Sequence, residues 1–210
     1  MGSGWFKIPG VQEGKHDAGR QFRGLDIVRD AARGATVLDL GCAEGINALA
    51  LADAGARLVH GAEVDASRVA IAQKLFAERH PAVESKFIAF DLNRFDNLYL
   101  NRTLSSPFSQ ERLLSRYDIV LTLAIAQKLR HPVRFLRLAS TLCDNLLAVR
   151  VPFPVVKPRR SKQPSADVKL LLSEDFDLLQ ETHGYPDDLN RKYQPGDEAW
   201  LGIFRRKPNR

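Results

Sequence analysis

The sequence of 210 residues predicts an α/β fold: a mostly parallel sheet that ends in an antiparallel pair of strands. Three observations lead there. Short apolar runs alternate with helical patterns from Thr36 to Val151, and such strand–helix–strand units place their strands in parallel through right-handed crossovers. Two late runs, "FDLLQETH" and "EAWLGIFRR", are joined by a polar turn region without a helix, as in an antiparallel pair. A glycine turn, "GCAEG", directly follows the first buried run.

The elements follow in order. Phe22, Leu25, Val28 and Ala32 recur near helical spacing within Gly19 to Arg33, and Gly34 stands where that helix would stop. Thr36 to Leu40 is a buried-strand pattern, and Ile46 to Ala54 a helix stopped by Gly55. "RLVHGAEV" is the second strand, and "SRVAIAQKLFAERH" the second helix of this series, with Ser67 near its start and Pro81 behind it. "SKFIAF" is a third strand and "YDIVLTLAIA" a fourth. Pro132 opens a helix ending near Cys143, and "NLLAVRV" is a fifth strand stopped by Pro152. A short helical stretch, Val168 to Leu172, leads into the final pair. The stretches 93–116 and 151–164 exceed ordinary connections, and long loops in compact domains are commonly functional. The expected organisation is one domain, with 1–34 as an N-terminal lid or helical segment and 35–210 as its body.

Composition narrows the class. The chain is 44% hydrophobic and 27% charged, ordinary for a globular protein. No apolar stretch nears the roughly 20 residues that span a bilayer, and the N-terminus has no basic-then-apolar signal pattern. Cys42 and Cys143 are the two cysteines; neither has a partner at metal-site spacing, so no metal is expected, and two quiet thiols suit a reducing cytoplasm. The net charge of +6 comes largely from "KPRRSK" and the tail "RRKPNR". Such runs can neutralise phosphates. No aromatic residues interleave them as a nucleic-acid stacking surface requires.

The glycine turn carries the functional signal. Gly41 and Gly45, with Ala43 between them, let the chain turn from strand into helix and bring backbone close to a ligand. Free N–H groups at the helix start then face whatever polar group sits there. Glu63 ends the second strand and Asp91 follows the third, so two acids fall at carboxyl ends of strands, where open parallel sheets bind ligands. An acid at the position of Glu63 suits ribose hydroxyls. A dinucleotide fingerprint needs G-x-G-x-x-G, and Gly41-Cys42-Ala43-Glu44-Gly45-Ile46 lacks that spacing. Glu44 would also oppose phosphates, and no Gly-Lys-Ser/Thr follows as a P-loop demands. A cofactor without phosphate fits better.

The segments "VLDLGCAEG", "VHGAEVD", "FIAFDL" and "YDIVLTLAIAQKL" resemble the successive signatures of class I S-adenosylmethionine-dependent methyltransferases, over about Thr36 to Val151. The resemblance implies a Rossmann-like, seven-stranded, mostly parallel sheet with a C-terminal antiparallel hairpin and helices on both faces. It implies S-adenosyl-L-methionine as cofactor. Asp39 and the loop Gly41, Cys42, Ala43 and Gly45 would hold the methionine part, Glu63 the ribose with Val64 beside it, and Asp91 and Leu92 the adenine. Ala124 would lie near the methyl donor. Ala43 stands where many relatives carry another glycine.

Residues after the fourth strand face the methyl group in that family, so Gln127, Lys128 and His131 are the catalytic candidates. His131 can act as a base near neutral pH, or simply cap the helix that Pro132 opens. Gln127 can orient an acceptor but cannot take its proton. Lys128 can bind an anionic acceptor group or face solvent. Trp5, Phe6, Arg20, Arg23 and Asp26 are candidates for a lid or acceptor contact, with packing on the sheet as the alternative for Trp5 or Phe6. The segment "GLDIVRDAARGATVLDLGCAEG" is also similar to methyltransferase domains linked to bacterial surface polysaccharides. The expected acceptor is therefore a small-molecule or glycan hydroxyl. An RNA methyltransferase, or a cofactor-binding partner protein without turnover, are the alternatives. The sequence leaves the oligomeric state open.

Overall fold

The computed structural model describes residues 4–8, 11, 13–17, 22–94, 113–151, 164–185 and 199–208. The basic run Lys157 to Lys162, most of both long connections, Arg20 and the Trp5 side chain lie outside these residues. The strands are β1 (Gly4–Lys7), β2 (Gly14–Asp17), β3 (Thr36–Leu40), β4 (Leu58–Glu63), β5 (Glu84–Ala89), β6 (Tyr117–Leu123), β7 (Cys143–Val151), β8 (Phe176–Tyr185) and β9 (Ala199–Arg206). The helices are α1 (Asp26–Asp30), α2 (Ile46–Asp53), α3 (Ala66–Arg79), α4 (Pro132–Thr141) and α5 (Pro164–Leu172), with single 3-10 turns at Leu92–Arg94 and Ala126–Lys128. β1 and β2 pair in parallel as a two-stranded sheet, and the other seven strands follow the order β5-β4-β3-β6-β7-β9-β8. The expected architecture is present: a mostly parallel, Rossmann-like seven-stranded sheet with helices around it and an antiparallel hairpin at its C-terminal end. Contacts group the residues into two compact units, 1–92 and 93–210.

In the first unit, β3, β4 and β5 run parallel and in register, with Leu40 opposite Ala62 and Glu63 opposite Ala89. Their carboxyl ends therefore line up. β3 and β4 are buried along their whole length, which explains their mainly apolar character and the absence of strict alternation, with Thr36, Asp39, His60 and Glu63 as the buried polar exceptions. Helix α3 begins at Asp65, whose carboxylate accepts the Ser67 N–H at 2.9 Å, an N-cap that removes one orphan donor of the first turn. Its Val69, Ala72, Leu75 and Phe76 are buried at the spacing of one helix face. The Phe76 ring meets Phe87 of β5 with centroids 4.8 Å apart.

One N-terminal expectation is corrected, and the strands there are an addition to it. Within the described residues 22–34, the helix predicted over Gly19 to Arg33 is confined to Asp26–Asp30 followed by a turn at 31–34, and Gly24 at φ +78° and Gly34 at φ +72° take left-handed conformations that bracket it. The segment before it also contains strands. Phe6 and Ile8 are buried while Lys7 between them is exposed, the period of two that marks a half-buried strand.

In the second unit, β6 and β7 are parallel, and β9 lies antiparallel to both β7 and β8. Trp200 of β9 is completely buried, and its indole N–H donates to Glu181 at 3.0 Å, so the ring is buried without an orphaned donor. The Arg206 guanidinium stacks 4.6 Å over the Phe176 ring and donates to the carbonyls of Ser140 and Cys143. Among the described residues, no helix is long and apolar enough to cross a membrane.

Gly61 of β4 is a test of this packing. A Cβ there would lie 2.5 Å and 2.8 Å from Phe87 ring atoms and 2.9 Å from the Cys42 sulfur. Gly61→Ala is expected to lower stability by about 1–3 kcal/mol, read as a lower urea midpoint at unchanged m-value.

Candidate functional site

The turn from β3 into α2 is built from left-handed residues. Gly41 has φ +84°, Ala43 φ +47° and Gly45 φ +76°. Glycine takes such angles freely, whereas the methyl group of Ala43 makes them unfavourable by about 1–2 kcal/mol. The conformation is held by bonds. The Gly41 and Cys42 amides donate to the Ala62 carbonyl at 2.8 and 3.2 Å, and Gly45 donates to Cys42 at 2.8 Å.

Glu63 fastens the turn to the neighbouring strand. Its carboxylate accepts from Ala43 N–H at 3.0 Å, from Val64 N–H at 2.9 Å and from Asp65 N–H at 3.1 Å. The Phe90 amide donates to the Glu63 carbonyl at 2.8 Å, which carries the register one residue past β5 and sets Asp91 beside the same edge. Leu92 follows, 5% exposed, while Val64 presents an apolar side chain that is 67% exposed. Asp39, Gly41, Cys42, Ala43, Gly45, Glu63, Val64, Asp91 and Leu92 are thus gathered at the carboxyl ends of three adjacent strands.

Asp39 is the anomaly among them. It is 1% exposed, and neither carboxylate oxygen has a hydrogen-bond partner. Burial, reinforced by the negative charge of Glu63, raises its pKa from 3.8 to about 7. The adjacent Cys42 thiol is pushed up by burial and by the charges of Asp39, Glu63 and Glu44. The turn therefore lies in a negative field, suited to a cationic ligand group and unsuited to phosphate.

The sequence reading undervalued two residues here. Glu44, taken there only as an obstacle to phosphates, is fully buried; it accepts the Phe6 N–H at 3.3 Å and lies 3.9 Å from Arg68. Asn47, in the first turn of α2, is 6% exposed and leaves its side-chain oxygen without a partner. Its signal was a lone amide inside "INALALA", where every neighbour is apolar.

The candidates of the second unit lie on the segment after β6. Ala124 takes φ +57°. Gln127 donates from its amide nitrogen to the Ala124 carbonyl at 2.7 Å, leaving its amide oxygen buried and without a partner. Lys128 and His131 are exposed, and His131 precedes α4 without a side-chain capping bond. Of the remaining lid candidates, Phe6 is 3% exposed and packs with Ile8, Ala43 and Leu75, while Arg23 and Asp26 are exposed.

Two buried groups of the first unit titrate in opposite senses. The native state holds a proton on Asp39 up to about pH 7, which the unfolded chain releases near 3.8, so this group adds stability as pH falls through that interval. His60 of β4 has its pKa lowered from 6.5 to about 4 by burial and by Lys86. The unfolded chain takes up that proton first, so His60 removes stability as pH falls from 6.5 to 4. Relative to the unmodified protein, Asp39→Asn is expected to lose stability on acidification from pH 7 to 4 and His60→Gln to gain it from pH 6.5 to 4. Each difference should approach 1 kcal/mol per pH unit, measured by urea unfolding across the range.

No protein-family model and no curated protein matches the sequence. Solved structures do match it. The magnesium protoporphyrin IX methyltransferase of Synechocystis, with bound S-adenosylmethionine, superposes with a TM-score of 0.60 at 19% identity over 90% of this chain and 80% of that one. A TehB-like S-adenosylmethionine-dependent methyltransferase from Corynebacterium glutamicum gives 0.58 at 18% identity, over 90% and 88%. The N-methyltransferase NodS from Bradyrhizobium japonicum gives 0.60 at 11%, over 90% and 96%. Strand order, the glycine turn and these superpositions agree: the chain has the fold of the class I S-adenosylmethionine-dependent methyltransferases.

Proposed function

We propose that the chain is an S-adenosylmethionine-dependent methyltransferase of the cytoplasm that methylates a hydroxyl oxygen of a small-molecule or glycan acceptor. The observation that carries the cofactor half is the Asp39 carboxylate, buried with both oxygens unpartnered. Leaving such a group unmatched costs several kcal/mol, and a ligand with a cationic donor relieves it. The ammonium of the methionine moiety is such a donor. Glu63 has about four acceptor sites, of which backbone amides take three; the fourth suits a ribose hydroxyl. Asp91 then accepts from the adenine amine, with Leu92 beside it and the exposed Val64 against the ring. The magnesium protoporphyrin IX methyltransferase has been crystallised with both S-adenosylmethionine and S-adenosylhomocysteine, which supports the same ligand here, and its named acceptor is a small molecule. Two free, buried thiols, Cys42 and Cys143, suit a reducing compartment.

The cofactor, when bound, supplies a methyl group on a cationic sulfur. What the chain adds is grip, orientation and exclusion of water. The N-terminal segment up to residue 34 is proposed as the part that covers the bound cofactor, and the body from 35 onward as the domain that holds it. Gln127 is proposed as a residue that orients the acceptor by its amide, with Lys128 and His131 as outer contacts. A second reading is favoured by Gln127 itself: its side chain is bonded to Ala124 and offers no base, as in a partner protein that binds the cofactor without turnover.

Calorimetry separates these readings. S-adenosylhomocysteine is expected to bind, and Glu63→Ala to weaken it more than tenfold. Because the ammonium needs an ionised Asp39, affinity should rise from pH 6 to 8 around the value of about 7, and Asp39→Asn should flatten that profile. Binding followed by methyl transfer to a panel of hydroxyl acceptors supports the enzyme; binding with no turnover on any of them supports the partner role; no binding overturns both.

A further inference from the structure

The glycine turn is fastened from a second side, by the N-terminal strand. The Phe6 N–H donates to the Glu44 carboxylate at 3.3 Å, and Phe6 and Ile8, 3% and 2% exposed, pack on Ala43 and Leu75 with Ile46 and Ile71 around them. Glu44 is fully buried, and its other carboxylate oxygen lies 3.9 Å from the Arg68 guanidinium. Arg68 in turn lies 3.6 Å from the Asp65 carboxylate, and the Asp65 amide donates to Glu63. A continuous chain of polar contacts therefore runs from the backbone of β1, through Glu44, Arg68 and Asp65, to the carboxylate that holds Ala43.

A buried carboxylate needs partners to stay ionised in an apolar setting. Glu44 takes its partners from a strand that lies about forty residues earlier and from the helix after β4. The same residue sits between Ala43, held at φ +47°, and Gly45, held at φ +76°. Strand β1 and the turn are therefore joined directly through Glu44.

We propose that Glu44 is a positioning residue for the cofactor: it latches strand β1 onto the glycine turn, so that docking of the N-terminal strand and occupation of the cofactor site are coupled. The inference rests on the cofactor reading above and deepens it, by naming the contact through which residues 4–8 and the cofactor site act on one another. Coupling of this kind is reciprocal. A docked strand tightens cofactor binding, and bound cofactor holds the strand down.

The test is a double-mutant cycle on the full chain, with S-adenosylhomocysteine as the probe. Glu44→Ala is expected to weaken binding about tenfold, and Phe6→Ala with Ile8→Ala, which removes the apolar half of the docking, by a similar factor. The combination should lose little more than either alone, because both break one latch. Glu44→Gln keeps an acceptor oxygen for the Phe6 amide and should retain most of the affinity. Hydrogen exchange adds a readout that mere stability would not move: the probe should slow exchange of the Phe6 amide in the unmodified protein and in Glu44→Gln, and not in Glu44→Ala. Independent, additive losses, undiminished affinity in Glu44→Ala, or exchange at Phe6 indifferent to the probe would each overturn the latch while leaving the cofactor reading intact. An unmodified protein that ignores the probe sinks the cofactor reading instead, and the coupling with it.

Discussion

One carboxylate holds the site together. Glu63 ends β4 and accepts the Ala43 amide of the adjoining turn through one carboxylate oxygen and the amides of Val64 and Asp65 through the other. Charge-assisted bonds of this kind are about twice as strong as neutral ones. Here the donors are three backbone groups that neither strand nor helix would otherwise satisfy. The bond to Ala43 keeps a non-glycine residue in a left-handed conformation, and that conformation directs the chain into α2. The register of β3 with β4, the entry of the helix and the placement of Asp91 all refer back to this point.

The same carboxylate contributes to the cost of its neighbour. Asp39 lies in β3, buried, unpartnered and close enough to feel Glu63. A core optimised for stability alone would carry an apolar residue or a paired one there. Holding two acids and the buried Glu44 around one turn trades stability for a defined electrostatic character. Marginal folding free energies make such a trade visible, since a few kcal/mol is a large part of the total.

Much of this was legible in the residues. The strands followed from mainly apolar runs that alternate with helical patterns, because parallel strands buried along their length, such as Thr36–Leu40, carry few polar residues. The positions of Glu63 and Asp91 followed from counting to strand ends. The parts that escaped depend on contacts between distant residues. Phe6 and Ile8 show a period of two over only a few residues, too short to weigh. Glu44 was judged by what its charge would repel, whereas its surroundings, the Phe6 amide and Arg68, come from thirty-eight residues earlier and a helix later. Gln127 was read as an amide that can orient an acceptor but cannot take its proton; that its nitrogen donates to the carbonyl of Ala124, itself at φ +57°, is a backbone contact that no side-chain pattern announces.

The placement of β9 bears on how the chain is made. It follows β8 in sequence, yet it lies between β7 and β8. On a ribosome, the stretch Phe176–Tyr185 emerges earlier and has no ladder to join until Ala199–Arg206 arrives beside it. Until then it is a bare ribbon with unmet amides, open to pairing with another nascent chain. A chain interrupted shortly before Trp200 would lack β9 and leave β8 with no strand to join. Closure of this half of the sheet therefore waits for Ala199–Arg206.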